Sequence, residues 1–279
     1  LRGVIMPIQV RDSGTDKEVS GVWAYDSGTD KEVQKVVVND VGTDKEVFAL
    51  GSEIYAWGAT FKDKVTQAPD TSGFVAIEQT TNCAFSLDNS GYINSWGDGS
   101  DGYGLISDTP AKSGFTEIDA SDDYVLALDD SGTIYAWGKD DDGVVSNAPS
   151  GDGFISVAAG KLAAHAIKSD GSIVSWGNGF DGLIADTPSG TGFTKVVAGT
   201  DDAMALDSSG TIHIWSDFVG SPPSGSGFTD ISLGWYHGIA LDSNGVIHSW
   251  GDSGGTSGTP TSSGFTFISA GKDLNFALN

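Results

Sequence analysis

Apolar residues come along this chain in short bursts separated by Gly, Asp, Ser and Thr, and no stretch carries the 3.6-residue period of an amphipathic helix. The segment SGFTEIDASDDYVLALDDSGTIYAWG at 113–138 shows the pattern: a Gly-Phe start, an alternating run, a polar break, a dense apolar run, a DDSG turn, and a second alternating run closing on Trp-Gly. It reads as three strands. The turns before the last strand end in Gly91, Gly132, Gly171, Gly210 and Gly245. Glycine there supplies the positive φ of a short hairpin loop, and the Asp, Asn or Ser before it can bond its own backbone. After Trp-Gly comes a Gly/Asp-rich loop and a short segment, GLISDTP, GVVSNAP or GLIADTP, which predicts a fourth strand.

The pattern is periodic. Trp-Gly or a near equivalent recurs at Trp57, Trp96, Trp137, Trp176, Trp215 and Trp250, in steps of 39, 41, 39, 39 and 35 residues. Gly-Phe recurs in phase at Phe74, Phe115, Phe154, Phe193, Phe228 and Phe265. A four-stranded unit of about 40 residues cannot bury both faces alone, but like units stacked around an axis can, which predicts an all-β fold, a β-propeller of four-stranded blades. The tryptophans then serve blade packing. A β-helix fits less well, because its rungs are about half as long.

Ring closure leaves two readings. The last repeat, SGFTFISAGKDLNFALN, stops before a Trp-Gly strand, whereas KEVFALGSEIYAWG near the start has that strand and no Gly-Phe strand. If EIYAWG joins the last repeat, six blades close; if hairpins upstream supply the missing strands, seven do. Six is the expectation. Upstream, VRDSGTDKEV, AYDSGTDKEV and VNDVGTDKEV place Gly14, Gly28 and Gly42 fourteen residues apart, one hairpin per unit. The predicted division is 1–47 for hairpin repeats and 48–279 for the propeller.

Two resemblances follow from these residues. Gly234, His237, Ala240, Leu241, Gly245, Trp250 and Gly251 in one unit, and Ala159, Gly160, Ala166, Ile167, Asp170, Gly171, Trp176 and Gly177 in another, resemble the regulator-of-chromosome-condensation repeat over about 48–279. That resemblance implies a propeller and leaves function open, since the family serves nucleotide exchange, scaffolding and ligand binding alike. The fourteen-residue units resemble short tandem repeats of bacteriophage tail and other virion proteins, with Asp16, Asp30 and Asp44 where those repeats carry tryptophan.

Composition narrows the partners. Forty glycines and eight prolines in 279 residues suit many short strands and tight turns. The 14 basic residues stand against 38 acidic ones, a net charge of −24, which repels phosphate backbones and predicts no nucleic-acid partner. No apolar run approaches the roughly 18 residues that cross a bilayer, so no membrane insertion is expected. Cys83 is the single cysteine, and its strand context predicts a small buried hydrophobe.

Apparent catalytic motifs dissolve against the repeat. GDSGG at 251–255 and AAHA at 163–166 suggest a protease pair, Ser253 with His165, but His165 fills a slot held elsewhere by Phe85, Leu126, Met204, Ile239 and Phe276. GDGSDG at 97–102 and GNGFDG at 177–182 match a dinucleotide-binding glycine pattern, yet turn-rich sequence follows each where a helix should start. His213 and His248 take the strand slot of Tyr55 and Tyr135, which predicts packing rather than metal binding. The acidic loops, Asp98 with Asp101 and Asp140 with Asp141 and Asp142, gather the oxygen donors calcium takes, although a solvated loop accounts for them as well. Ca2+ is the sole cofactor candidate. Trp235 lies off the tryptophan period beside Tyr236, and with Tyr103 and Phe180 forms the candidate binding set.

The expected function is therefore non-enzymatic: a bacteriophage virion protein, as tail fibre for host recognition or as capsid decoration. Its partners would be other virion proteins and a host surface protein or glycan. A secreted bacterial adhesin or scaffold is the alternative. Sheet edges on the hairpins predict a homo-oligomer, most simply a trimer.

Overall fold

The computed structural model describes residues 9–12, 15–18, 49–50, 53–54, 68–69, 73–100, 103–215, 219–271 and 275–279. The chain forms two compact units, residues 1–34 and 35–279; the expected boundary at 47/48 lies outside the described residues. In the first unit, β1 (Gln9–Asp12) and β2 (Thr15–Glu18) pair antiparallel, with Asp12 opposite Thr15.

The second unit is a β-propeller built from repeated antiparallel sheets. A short pair, β3 (Ala49–Leu50) and β4 (Glu53–Ile54), comes first. Five three-stranded sheets follow. They are β5 (Phe74–Gln79), β6 (Cys83–Asp88) and β7 (Ile93–Gly97); β8 (Phe115–Ala120), β9 (Tyr124–Asp129) and β10 (Ile134–Gly138); and β11 (Phe154–Ala159), β12 (Ala163–Lys168) and β13 (Ile173–Gly177). Then come β14 (Phe193–Ala198), β15 (Ala203–Asp207) and β16 (Ile212–Trp215), and β17 (Phe228–Leu233), β18 (His237–Asp242) and β19 (Ile247–Gly251). A two-stranded sheet, β20 (Phe267–Ala270) and β21 (Asn275–Leu278), ends the chain.

Each sheet runs Gly-Phe strand, apolar strand, Trp-Gly strand. The Gly-Phe strands of successive sheets contact one another, so they are the inner strands, nearest the axis. The middle strands are buried along almost their whole length because a neighbouring sheet covers each face. A bulge one residue after each leading Phe turns the next residue outward, which leaves Val75 and Ile155 exposed.

The fourth strand is corrected. Residues 105–108, 144–147 and 183–186 form turns rather than strands. Leu105, Val144 and Leu183 are buried, and the carbonyl of each accepts the indole N–H of the next sheet's tryptophan: Trp137 at 3.0 Å, Trp176 at 2.8 Å and Trp215 at 3.1 Å. The apolar residues that suggested a strand are plugs between sheets. The strand exchange expected of EIYAWG falls largely on residues 55–58, outside the described residues; of that segment, Glu53–Ile54 pair with Ala49–Leu50. Trp57 lies outside the described residues.

The turn glycines do more than bend the chain. Gly132 has φ of 78°, and its carbonyl accepts the N–H of Phe154 in the next sheet at 3.1 Å. A Cβ there would stand 2.5 Å from the Phe154 carbonyl oxygen. Gly91, Gly171, Gly210 and Gly245 repeat the bond to Phe115, Phe193, Phe228 and Phe265. The same turn therefore closes one sheet and joins it to the next.

Candidate functional site

Strand direction sorts the loops. Inner strands end, middle strands begin and Trp-Gly strands end on one face; the DxSG turns lie on the other. Tyr103, Phe180, Trp235, Tyr236, Asp98 and Asp140–Asp142 all belong to loops of the first face. Asp101 lies outside the described residues.

At the centre of that face, the ends of the described inner strands β5, β8, β11, β14, β17 and β20 surround a cavity of about 170 Å³. Glu78, Asp119, Asp122, Lys161 and Trp235 are in its wall. A second cavity of about 90 Å³ adjoins it, sharing Ser121, Asp122 and Lys161 and reaching Lys139, Asp141 and Asp142.

The frame under the cavity is polar and crosses from sheet to sheet. The side chain four residues after the leading Phe accepts a backbone N–H of the next inner strand: Asp119 Oδ2 from Ala159 at 2.8 Å, and Ser232 Oγ from Ala270 at 3.0 Å. Asp119 Oδ1 also accepts the N–H of Ala120. Two residues after the leading Phe, Ser156 donates to Glu117 Oε1 at 3.0 Å, and Lys195 pairs with Asp230. Burial pushes the Glu117 carboxyl up to about 7, and the charge of Asp119 adds to the rise, against the hydrogen bond from Ser156.

The predicted aromatics stand free of the core to different degrees. Tyr103, Phe180 and Tyr236 are 40%, 56% and 52% exposed. Trp235 is half-buried in the cavity wall, edge-on to Tyr236 with ring centroids 6.3 Å apart. Lys139 Nζ lies 5.4 Å from the Tyr103 ring centre. Phe180 opens a single 3-10 turn, Phe180–Gly182, not the helix a dinucleotide site needs.

The acidic loop residues serve separate partners. Asp140 Oδ1 accepts the N–H groups of Val145 and Ser146, and the Ser146 N–H chiefly holds its carboxyl below the usual range. Asp141 pairs with Lys139 at 3.1 Å, Asp142 accepts from Asn178 at 2.8 Å, and Asp98 accepts the N–H of Ser100. Among the described residues, no three His, Cys, Asp or Glu side chains converge as a metal site.

The buried histidines are structural. His165 lies opposite Ala158, the register that Leu126, Met204 and Ile239 occupy in their sheets. Its Nδ1 bonds Ser175 at 2.7 Å, its ring meets Trp215 edge-on, and burial pushes its pKa down to about 3. Ser253 is exposed on a four-residue helix, Ser253–Thr256, and bonds Asp252. His237 is buried and bonds Asn275 of β21 at 2.7 Å. Cys83 is buried in β6, its thiol donating to the Asp98 carbonyl.

Glu78, Asp119 and Lys161 were not singled out by the sequence. Glu78 and Asp119 sit four residues after a leading Phe, so the Gly-Phe period marks the slot. The other sheets fill it with Ala158, Val197, Ser232 and Ser269, which removes any repeating chemical signal.

The fold and its repeated ties define a β-propeller, and comparison with known proteins gives its type. The family model described as Regulator of chromosome condensation (RCC1) repeat matches residues 228–257. Among solved structures, the CRINKLY WD40 ectodomain of the Arabidopsis thaliana receptor kinase ACR4 aligns with TM-score 0.61 and 19% identity, over 75% of this chain and 77% of that one. Human WBSCR16 aligns with 0.60 and 15% identity, over 73% and 71%. Prp20p of Saccharomyces cerevisiae, described with its binding properties to Gsp1p and histones, aligns with 0.58 and 17% identity, over 73% and 68%. The chain thus has an RCC1-type β-propeller fold. No curated protein matches the chain.

Proposed function

We propose that the chain is a non-enzymatic recognition module that binds a surface protein or glycan through the face where its inner strands end. One observation carries this reading: Tyr103, Phe180, Trp235 and Tyr236 come from three separate loops of the repeat, yet share one face with the axial cavity. Large apolar groups exposed together on one side of a folded chain suit a partner surface. The test is a screen of glycans and bacterial surface proteins with the whole chain, repeated with Tyr103→Ser, Phe180→Ser and Tyr236→Ser combined. Binding should fall at least about tenfold, the equivalent of one lost contact, while the melting temperature holds. Undiminished binding by the triple variant overturns the reading.

The fourteen-residue units favour a bacteriophage virion as the setting, with the hairpins as the link to other virion proteins in a tail fibre or capsid decoration. The pairing of β1 with β2 agrees with one hairpin per unit. Gold-labelled antibody against the chain should decorate purified particles; unlabelled particles would leave the adhesin or scaffold alternative. We expect a homo-oligomer, most simply a trimer, and light scattering that finds monomer alone would remove that part.

A further inference from the structure

The five turns that weld one sheet to the next place Ser90, Ser131, Asp170, Ser209 and Asn244 directly before the weld glycine. A serine has no acyl carbon in its side chain for a backbone nitrogen to attack. Asp170 has one, but its carboxyl accepts the N–H and the hydroxyl of Ser172 at 2.9 and 2.7 Å, and the hydroxyl chiefly holds it below the usual carboxylate range. An ionised carboxylate is a poor electrophile. Asn244 differs from all four. It carries a neutral amide on an exposed side chain that bonds nothing among the described residues, while its backbone N–H is fixed to Asp242 Oδ1 at 2.8 Å. Gly245 after it has no side chain to shield its nitrogen. The chain has a second Asn-Gly pair, Asn178 with Gly179, and there the amide is held at both ends. Its Oδ1 accepts the Phe180 N–H at 3.1 Å, and its Nδ2 donates to Asp142 at 2.8 Å.

We infer that Asn244 is a self-modification site, at which the Gly245 nitrogen attacks the side-chain amide carbon. The new C–N bond closes a cyclic imide, the Gly245 proton passes to water, and the side-chain nitrogen takes up a proton and leaves as ammonia. Water then opens the imide at either carbonyl, giving aspartate or isoaspartate with no electron gained or lost. The Gly245 N–H donates to the Asp242 carbonyl at 2.9 Å, so the step runs from a locally opened turn. Isoaspartate carries the backbone through the side-chain carbon and inserts an extra atom just ahead of Gly245. That glycine's carbonyl accepts the Phe265 N–H at 3.1 Å, and a Cβ on it would stand 2.6 Å from the Gly264 nitrogen, so the turn has no slack for the insertion. The weld from β17–β19 to β20–β21 therefore loosens with age. The inference goes beyond the recognition face and does not depend on it.

The whole chain is aged for several weeks at mildly alkaline pH, digested and mapped by mass spectrometry, with isoaspartyl methyltransferase labelling to mark isoaspartate. Conversion at Asn244 should outrun that at Asn178 by about fivefold, since two side-chain bonds must break at Asn178 and one backbone bond at Gly245. The aged chain should melt about 2–4 °C below the fresh one, the shift expected for one lost cross-sheet bond. Asn244→Ser, with the residue three other weld turns carry, should show no such ageing loss. Asn244→Asp has the charge without the inserted atom, and when fresh should melt within about 1 °C of the fresh parent. Faster conversion at Asn178, or no isoaspartate at 244, overturns the site. An equal ageing loss in Asn244→Ser overturns its link to the weld.

Discussion

The sheets from β8 to β16 and the end of the chain from β17 to β21 use one repeat and are held differently. In the first region each tryptophan indole donates to a plug carbonyl of the preceding sheet, and Tyr124 Oη donates to the Gly160 carbonyl of the next at 2.7 Å. In the second, Trp250 Nε1 has no acceptor among the described residues. Its plug, Val219, is buried, but the step from Trp215 to Trp250 is 35 residues where the two before it take 39, and the Val219 carbonyl oxygen lies 3.1 Å from where a Cβ on Gly251 would stand. The cross-sheet tie falls to His237 and Asn275, and Asn275 Nδ2 also donates to the Gly255 carbonyl. Stability in a stacked array comes from neighbour contacts, so four missing loop residues change one interface and leave the others intact.

The largest effect should come from Gly132→Ala. The left-handed φ costs an L-residue about 1–2 kcal/mol, and the forced shift of the Phe154 backbone should bring the loss to about 3–4 kcal/mol in denaturant unfolding. Gly220→Ala, at φ of 75° with no atom near its Cβ, should cost about 1 kcal/mol. Equal losses would show that the blade-to-blade weld contributes nothing.

His165→Met should follow in size and appear only in acid. The folded-state pKa of about 3 lies below the ordinary 6.5, so the unfolded chain binds the proton first, and stability drains as pH falls from about 6.5 toward 3. The loss reaches about 3 kcal/mol at pH 4, within a bound of about 5 kcal/mol approached near pH 3. Methionine, as at Met204 in the same register, should flatten that limb of a stability-against-pH curve; an unchanged acid limb refutes the assignment.

Glu117 has the opposite sign. Its folded pKa of about 7 exceeds the ordinary 4.5, so its contribution is intact below about 4.5 and is lost as pH rises through 7. Glu117→Gln keeps an acceptor for Ser156 and should be more stable than the parent at pH 8, by about 1–2 kcal/mol after discount for partial exposure, with little difference at pH 4. A constant difference across that range would count against the channel carboxyl.

The smallest effect sharpens the comparison most directly. Trp137→Phe strands a buried carbonyl and should cost about 1–2 kcal/mol more than Trp250→Phe, which breaks no bond to a described residue. Equal melting losses would mean that the indole bond adds nothing beyond ring burial.

Much of this was legible in the residues. The Gly-Phe and Trp-Gly periods locate the inner and outer strands, and the slot shared by His165 with Leu126 and Met204 places that ring in the core. The plug segments misled because a buried Leu or Val flanked by polar residues looks alike in a strand and in a turn. The axial cavity was invisible because its wall draws between one and five residues from each repeat, and the chemistry of the shared slot changes around the ring.

The sequence alone determined the strand order within a sheet, the turn glycines and the repeat, because these depend on backbone conformation and on burial with a short local period. Only the tertiary structure decided what depends on a neighbour: that the turn glycine is also a weld, that Trp250 lacks its acceptor, and that Glu78, Asp119 and Trp235 share a cavity. Those contacts join residues of different repeats, 18 or more positions apart, and their geometry is set by how one sheet stacks on the next.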